Sequence, residues 1–342
     1  MKTKAAVLYQ LGKPLIVEDL EIPELQEGQV LVEMLYSGLC HSQINEIDGM
    51  KGEDNFLPHL LGHEGSGIVR EIGAGVNKVK EGDYVVLSWI KGSGKEVSNS
   101  KYQKNTINSG AITTFNTYSV ISENRLFKIP VEIPSKIAAL LGCAIPTGAG
   151  IVKNEVKLNK EDAIAIFGVG GIGSCALLYA SSRGASKIIA IDINDYKLDF
   201  AKKIGATHTI NCLKENLAEK VKLITENEGV DFAIESSGVK TAMETAIDVI
   251  KNSGTVIIAG NLKKGEKIAI DPFELIKGKK IIGTWGGATN PDKDIPHYSE
   301  KYLEGKLPLE ELITKIYSLE QINDAVQDLK EGKIIRGLIK LK

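Results

Sequence analysis

The chain has 342 residues, 43% hydrophobic and 25% charged, an ordinary globular make-up long enough for two domains with separate cores. Its 42 basic and 44 acidic residues leave a formal net charge of −2, so no electrostatic pull toward nucleic acid or an anionic membrane is expected. The four cysteines, at 40, 143, 175 and 212, are too scattered for a disulfide framework, and no run is apolar enough for a signal peptide or a bilayer span; a cytoplasmic protein is expected.

From the N-terminus, residues 5–9, 29–37, 67–72 and 84–88 are β-rich runs separated by Glu27-Gly28, by the glycines at 73 and 75, and by Glu81-Gly82-Asp83. Helical periodicity is scarce there, which predicts a small β-barrel-like domain. Residues 91–117 follow as a polar stretch rich in Lys, Ser, Asn and Gly, long enough to be a functional loop. From about Ala144 the pattern changes. Strands are predicted at 163–167, 188–191, 232–235 and 255–259, with helices at 174–183, 197–204 and 241–251 between them. Strands alternating with helices at this spacing predict an α/β unit with a parallel sheet wound on both faces. The tail holds helical segments and a last strand at 337–340.

Gly168-Val169-Gly170-Gly171-Ile172-Gly173 follows the predicted strand 163–167 and opens the next helix. In that setting Gly168, Gly170, Gly171 and Gly173 let the backbone turn tightly and approach a pyrophosphate lying on the helix N-terminus. Asp192 ends the next strand nineteen residues after Gly173. An acid there accepts hydrogen bonds from an adenosine ribose diol and repels a 2′-phosphate, which favours NAD over NADP. Lys197 is in reach of the same ribose region. The plainer readings are a strand-end cap for the acid and a solvent-exposed lysine.

Cys40, His63 and Cys143 form the second candidate set. Zinc favours thiolate and imidazole donors, and a catalytic zinc keeps three protein ligands and one open position. The three lie 23 and 80 positions apart, so spacing alone does not join them, and a buried cysteine serves equally as a small core residue.

The flanking residues carry more. Gly38-Leu39-Cys40-His41-Ser42, Leu61-Gly62-His63-Glu64-Gly65-Ser66-Gly67, Gly82-Asp83, Gly142-Cys143 with Pro146-Thr147-Gly148, the glycine loop with Asp192, and Gly283-Thr284-Trp285-Gly286-Gly287 resemble the medium-chain zinc alcohol dehydrogenase family. The resemblance spans nearly the whole chain and is nearest the glutathione-dependent formaldehyde dehydrogenase and alcohol dehydrogenase branches. It implies a GroES-like β-rich catalytic domain at 1–146, completed by 296–342, and a Rossmann nucleotide-binding domain at 147–295. It also implies Cys40, His63 and Cys143 as ligands of one catalytic zinc, with Glu64 beside the metal and able to approach it during ligand exchange. Ser42 would hydrogen-bond the substrate oxygen and begin its proton path. His41 and Arg336 would face the cofactor pyrophosphate. Thr147 would open the first helix of the nucleotide domain and pack against the nicotinamide, and Trp89 and Trp285 fall at substrate-pocket positions. Each has a plainer reading: Glu64 as an acid in a turn, Ser42 as a loop hydroxyl on backbone, His41 and Arg336 as surface groups, Thr147 as an N-cap, the tryptophans as core.

Three departures stand out. Relatives that hold a structural zinc use four closely spaced cysteines after the Gly-Asp turn, whereas this chain has Ser93, Glu96 and Asn99 there and no cysteine from 91 to 117. One zinc is therefore expected. Gln43 replaces the aspartate that usually orients the zinc-bound histidine; a neutral amide is expected still to accept that hydrogen bond. Asn45 stands where some relatives have the histidine that ends a proton relay.

The reaction implied is zinc-assisted hydride transfer between NAD(H) and an alcohol, aldehyde or ketone, polyols and sugar derivatives included, in a cleft between the domains. A homodimer or homotetramer built through the nucleotide domain is what the family implies. Two alternatives stay open: a zinc-free quinone or enone reductase of the same superfamily, and a non-enzymatic NAD-binding regulatory protein.

Overall fold

The computed structural model describes residues 1–98 and 100–342; of the expectations above, the one at Asn99 lies outside the described residues. The chain forms two compact units, Met1–Pro146 with Asn290–Lys342, and Thr147–Thr289. The sequence reading starts the return at 296, but helix Pro291–Leu303 runs through that residue and belongs whole to the first unit.

In the first unit, strand Gln29–Leu39 is the organising element. Its hydrophobic run Val30, Leu31, Val32, with β-branched valines on either side of the leucine, is buried, and it pairs antiparallel with Glu64–Ile72, Tyr118–Ser122 and Gly337–Lys340. The sheet then continues from Glu64–Ile72 through Tyr84–Ser88 to Leu126–Lys128. Val30, Val32, Met34, Val69, Val85 and Leu87 fill one core. A smaller sheet joins Ile16–Glu21, Lys2–Leu8 and His59–Leu60. The expected strand 67–72 is thus the outer part of a nine-residue strand that starts at Glu64, with no turn at the acid.

The polar stretch from 91 is fastened by side chains. Glu96 accepts from Arg125 (2.6 Å) and Asn124 (3.1 Å), and Glu123 accepts from the Lys95 and Asn77 backbone N–H groups. Ser93 N–H donates to Asp292 at 2.6 Å. Tyr102 is fully buried, and its hydroxyl oxygen accepts from Val120 N–H at 2.7 Å.

The second unit is an all-parallel, six-stranded sheet. Its spatial order is His208–Asn211, Lys187–Asp192, Ala163–Phe167, Val230–Glu235, Ile250–Ile258, Lys280–Gly283. Ala163–Phe167, buried along its whole length as a central parallel strand requires, lies between its neighbours in the doubly wound order, where the direction of winding reverses. Helices Gly171–Ser182, Asp195–Lys203, Leu217–Ile224 and Lys240–Val249 connect the strands. Leading into this unit, helix Ala144–Gly150 continues as a π-type turn over Ile151–Val156. Thr147 is therefore inside a helix and is not an N-cap. No helix of the described residues is long and apolar enough to cross a membrane.

Glu33 tests how the first sheet is closed. It is buried and accepts from Lys342, Arg70 and Tyr118 (2.9 Å), so it ties the C-terminus to the central strand. Burial works to raise its pKa, but the three donors and the Arg70 charge outweigh it and hold the carboxyl down at about 2, from 4.5. A depressed folded-state pKa contributes stability above the ordinary value, lost as pH falls toward 2. Glu33→Gln should destabilise the protein by about 2 kcal/mol at pH 7. In denaturant titrations across pH, the gap from wild type should close between pH 4.5 and about 2; a gap that does not vary with pH refutes the role of the charge.

Candidate metal centre and dinucleotide loop

The metal-ligand candidates converge because of strand pairing. Cys40 follows strand Gln29–Leu39 and caps helix His41–Ile47. His63 immediately precedes strand Glu64–Ile72, and the register Ser37↔Gly65 sets these two chain segments side by side. Glu64 pairs in turn with Ser88, whose hydroxyl donates to Gly142 O at 2.6 Å and so draws in Cys143. The ligand atoms of Cys40, His63 and Cys143 all lie within 4.8 Å of one another. His63 Nε2 is 3.2 Å from Cys143 Sγ, and both thiols are buried. Hydrogen bonding from Cys143 holds the Cys40 thiol well below the ordinary cysteine range; burial opposes this, while His63 and the Arg336 charge reinforce it. Two sulfurs and one imidazole suit zinc and do not suit the hard cations calcium or magnesium. None of the four cysteines is in a disulfide.

Glu64 is fully buried at the start of its strand. It forms an ion pair with Arg336, and its Oε2 accepts from Ala144 N–H at 3.3 Å. Gly38 makes room for its carboxylate, which a Cβ there would overlap, and a Cβ at Gly142 would overlap Leu87 O and press on the Glu64 Cβ. Arg336 is itself only 3% exposed and also donates to Leu39 O at 3.1 Å, so it is not a surface group. The pairing Gly337↔Leu39 delivers it there.

Gln43 differs from expectation. Its Oε1 accepts from Cys40 N–H at 2.8 Å, and its Nε2 stands 2.6 Å from His63 Nδ1. The oxygen is committed to the backbone, so the amide presents its donor, and not an acceptor, to the histidine. Ser42, on the helix His41–Ile47, has a buried hydroxyl with no hydrogen-bond partner among the described residues; it is not bonded to backbone. His41 is exposed and Asn45 is half-buried. The Trp89 ring meets the His63 ring edge-on at 6.5 Å, whereas Trp285 is 81% exposed and is no core residue.

In the second unit the glycines divide their labour. Gly168 has φ +85°, and any Cβ there would press on Ser237. A Cβ on Gly173 would overlap Gly168 O, so helix Gly171–Ser182 can start this close to the strand only with glycine. Gly170, the N-cap, and Gly171, the first helical residue, open that helix, and space beside Gly170 is clear. Such a helix start with close backbone access suits a pyrophosphate. Asp192 accepts from Val169 N–H (2.8 Å), Ile193 N–H (2.8 Å) and Asn194 N–H (3.0 Å). It therefore pins the glycine loop, while a carboxylate's four acceptor sites leave capacity for a ribose hydroxyl. Lys197 is half-buried on helix Asp195–Lys203, and the Thr147 hydroxyl is buried without a partner among the described residues. Sequence reasoning passed over Glu235, a fully buried acid at the end of strand Val230–Glu235 that accepts from Ser237 and Gly238 N–H. It also passed over Ser236, which donates to Phe167 O and Gly168 O. The run Glu235-Ser236-Ser237-Gly238 directly after a strand was the available signal.

Residues 26–131 match the model of the alcohol dehydrogenase GroES-like domain, and residues 171–303 that of the zinc-binding dehydrogenases. The chain is 34% identical to an NDMA-dependent alcohol dehydrogenase of Amycolatopsis methanolica, over 99% of both chains. The chain belongs to the zinc-containing alcohol dehydrogenase family. Another relative in this family is an S-(hydroxymethyl)glutathione dehydrogenase of Synechocystis, 33% identical over 99% of this chain and all of that one. Among solved structures, benzyl alcohol dehydrogenase from Acinetobacter calcoaceticus superposes with a TM-score of 0.91 at 31% identity over the full length of both. As a zinc-type alcohol dehydrogenase the protein is an oxidoreductase, with Cys40, His63 and Cys143 as its candidate zinc site. Nothing in these relatives favours a zinc-free reductase or a non-enzymatic binding protein.

Proposed function

We propose that this dehydrogenase interconverts small alcohols, primary ones foremost, with their carbonyl compounds, using NAD(H) and one zinc per chain. The observation that carries the reading is a sulfur–nitrogen–sulfur triad of two buried cysteines and a half-buried histidine, with a partnerless buried hydroxyl, Ser42, two residues from its first member. The primary-alcohol class draws on the relatives, whose named substrates include benzyl alcohol and S-(hydroxymethyl)glutathione. Zinc bound by Cys40, His63 and Cys143 supplies Lewis-acid polarisation of an alcohol or carbonyl oxygen, and NAD(H) supplies the hydride chemistry. Ser42 Oγ orients the substrate oxygen and begins the path of the proton that alcohol oxidation releases, accepting it only as its own hydroxyl proton passes on toward solvent. Glu64, held back by Arg336 and the Ala144 amide, serves as an auxiliary metal ligand. Gly168, Gly170, Gly171 and Gly173 take the pyrophosphate, with Asp192 and Lys197 toward the adenosine ribose. His41 and Arg336 act toward the pyrophosphate, and Thr147 toward the nicotinamide.

Support for a single zinc comes from residues 91–117, which contain no cysteine, and from Glu96 and Glu123, which accept there from Arg125 and from Lys95 N–H. Metal analysis should return one zinc per wild-type chain. Cys143→Ala should lose the zinc and at least a thousandfold in turnover on alcohols, while NADH binding by fluorescence stays within a few-fold. Retained turnover, or two zincs in wild type, contradicts the assignment.

The protein acts as a homodimer or homotetramer joined through the second unit. Helix Pro272–Ile276 buries none of its residues, yet it carries Phe273, Leu275 and Ile276, the last 77% exposed, and Ile282 and Trp285 are further exposed apolar residues of the same unit. Light scattering should find an oligomer for wild type and a smaller species for Ile276→Glu. A monomeric wild type would end this part of the proposal.

A further inference from the structure

Resting on the zinc reading above, we infer that Gln43 is a positioning residue that sets how tightly the Cys40–His63–Cys143 site holds its metal, because its amide is complementary to the metal-free histidine and not to the metal-bound one. The oxygen and nitrogen of a carboxamide are distinguished only by their partners. Here one partner is unambiguous. Cys40 N–H is a backbone donor, and it lies 2.8 Å from Gln43 Oε1. The other end of the amide, Nε2, faces His63 Nδ1 at 2.6 Å. Gln43 is 1% exposed, so no solvent is at hand to repair a mismatch at either end.

Without metal these contacts form one consistent chain. Cys40 N–H donates to Gln43 Oε1, Gln43 Nε2 donates to His63 Nδ1, and the ring proton sits on Nε2, pointing at Cys143 Sγ 3.2 Å away. Nε2 is the only ring nitrogen that faces the sulfurs, so it is the one available to a metal. A metal on Nε2 moves the ring's single proton to Nδ1, where it meets the donor end of Gln43. Turning the amide over presents Oε1 to Nδ1–H, but the amide nitrogen then faces Cys40 N–H. Either way one buried hydrogen bond is lost on loading. A carboxylate accepts on both sides and loses neither, and partners of this kind change metal affinity by about ten- to a hundredfold.

The isosteric change Gln43→Glu therefore separates the two cases. Apparent zinc affinity, measured on the full-length apoprotein by competition with a chromophoric chelator, should rise by about ten- to a hundredfold in Gln43→Glu. Equal or weaker binding by the variant overturns the inference while leaving the zinc reading intact. Zinc uptake by neither protein overturns both. Independently of any variant's folding, 15N NMR of the His63 ring in metal-free wild type should show a protonated Nε2 and an unprotonated Nδ1. A protonated Nδ1 in that state also overturns the inference.

Discussion

The pairing of strand Gln29–Leu39 with two partners is the constraint on which the candidate site depends. One partner, Glu64–Ile72, begins directly after His63; the other, Gly337–Lys340, begins directly after Arg336. Register at the Leu39 end therefore brings Cys40, His63, Glu64 and Arg336 together from three distant parts of the sequence. A slip of one residue in either ladder would turn these side chains to the opposite face. Chemistry that the sequence scatters is gathered by backbone hydrogen bonds, not by attraction among the site residues themselves.

That arrangement buries charge, and the surroundings are cut to bear it. Glu64 and Arg336 neutralise each other, Ala144 N–H takes up a further carboxylate valence, and Gly38 leaves the volume the carboxylate occupies. An unpaired buried ion would cost several kcal/mol, so removing either partner alone is far more damaging than the pair is beneficial. The same economy appears around residues 91–98, where Glu96, Glu123 and Asp292 satisfy backbone and arginine donors.

Legibility in the sequence followed the range of the interactions. Strand Ala163–Phe167, the glycine loop and Asp192 are local features, and their periodicity and spacing carried a physical reading unaided. Strand His208–Asn211, short and half polar, gave too weak an alternation to be noticed. The grouping of Cys40, His63 and Cys143 came from resemblance, because nothing in a spacing of 23 and 80 residues encodes a sheet register. Gln43 shows a finer limit. Its identity suggested an acceptor for His63, but the direction of its amide is decided by Cys40 N–H, a backbone group whose position only the fold determines. Thr147 was misplaced for a similar reason, since helix Ala144–Gly150 begins before it across the border between the two units.

The central claim is that one zinc is held by two cysteines and one histidine of the first unit. X-ray absorption at the zinc edge of the loaded protein addresses it most directly. The account predicts two sulfur scatterers at about 2.3 Å, with the remaining coordination from nitrogen and oxygen at about 2.0–2.1 Å. A shell of four sulfurs, or one with no sulfur, would contradict it.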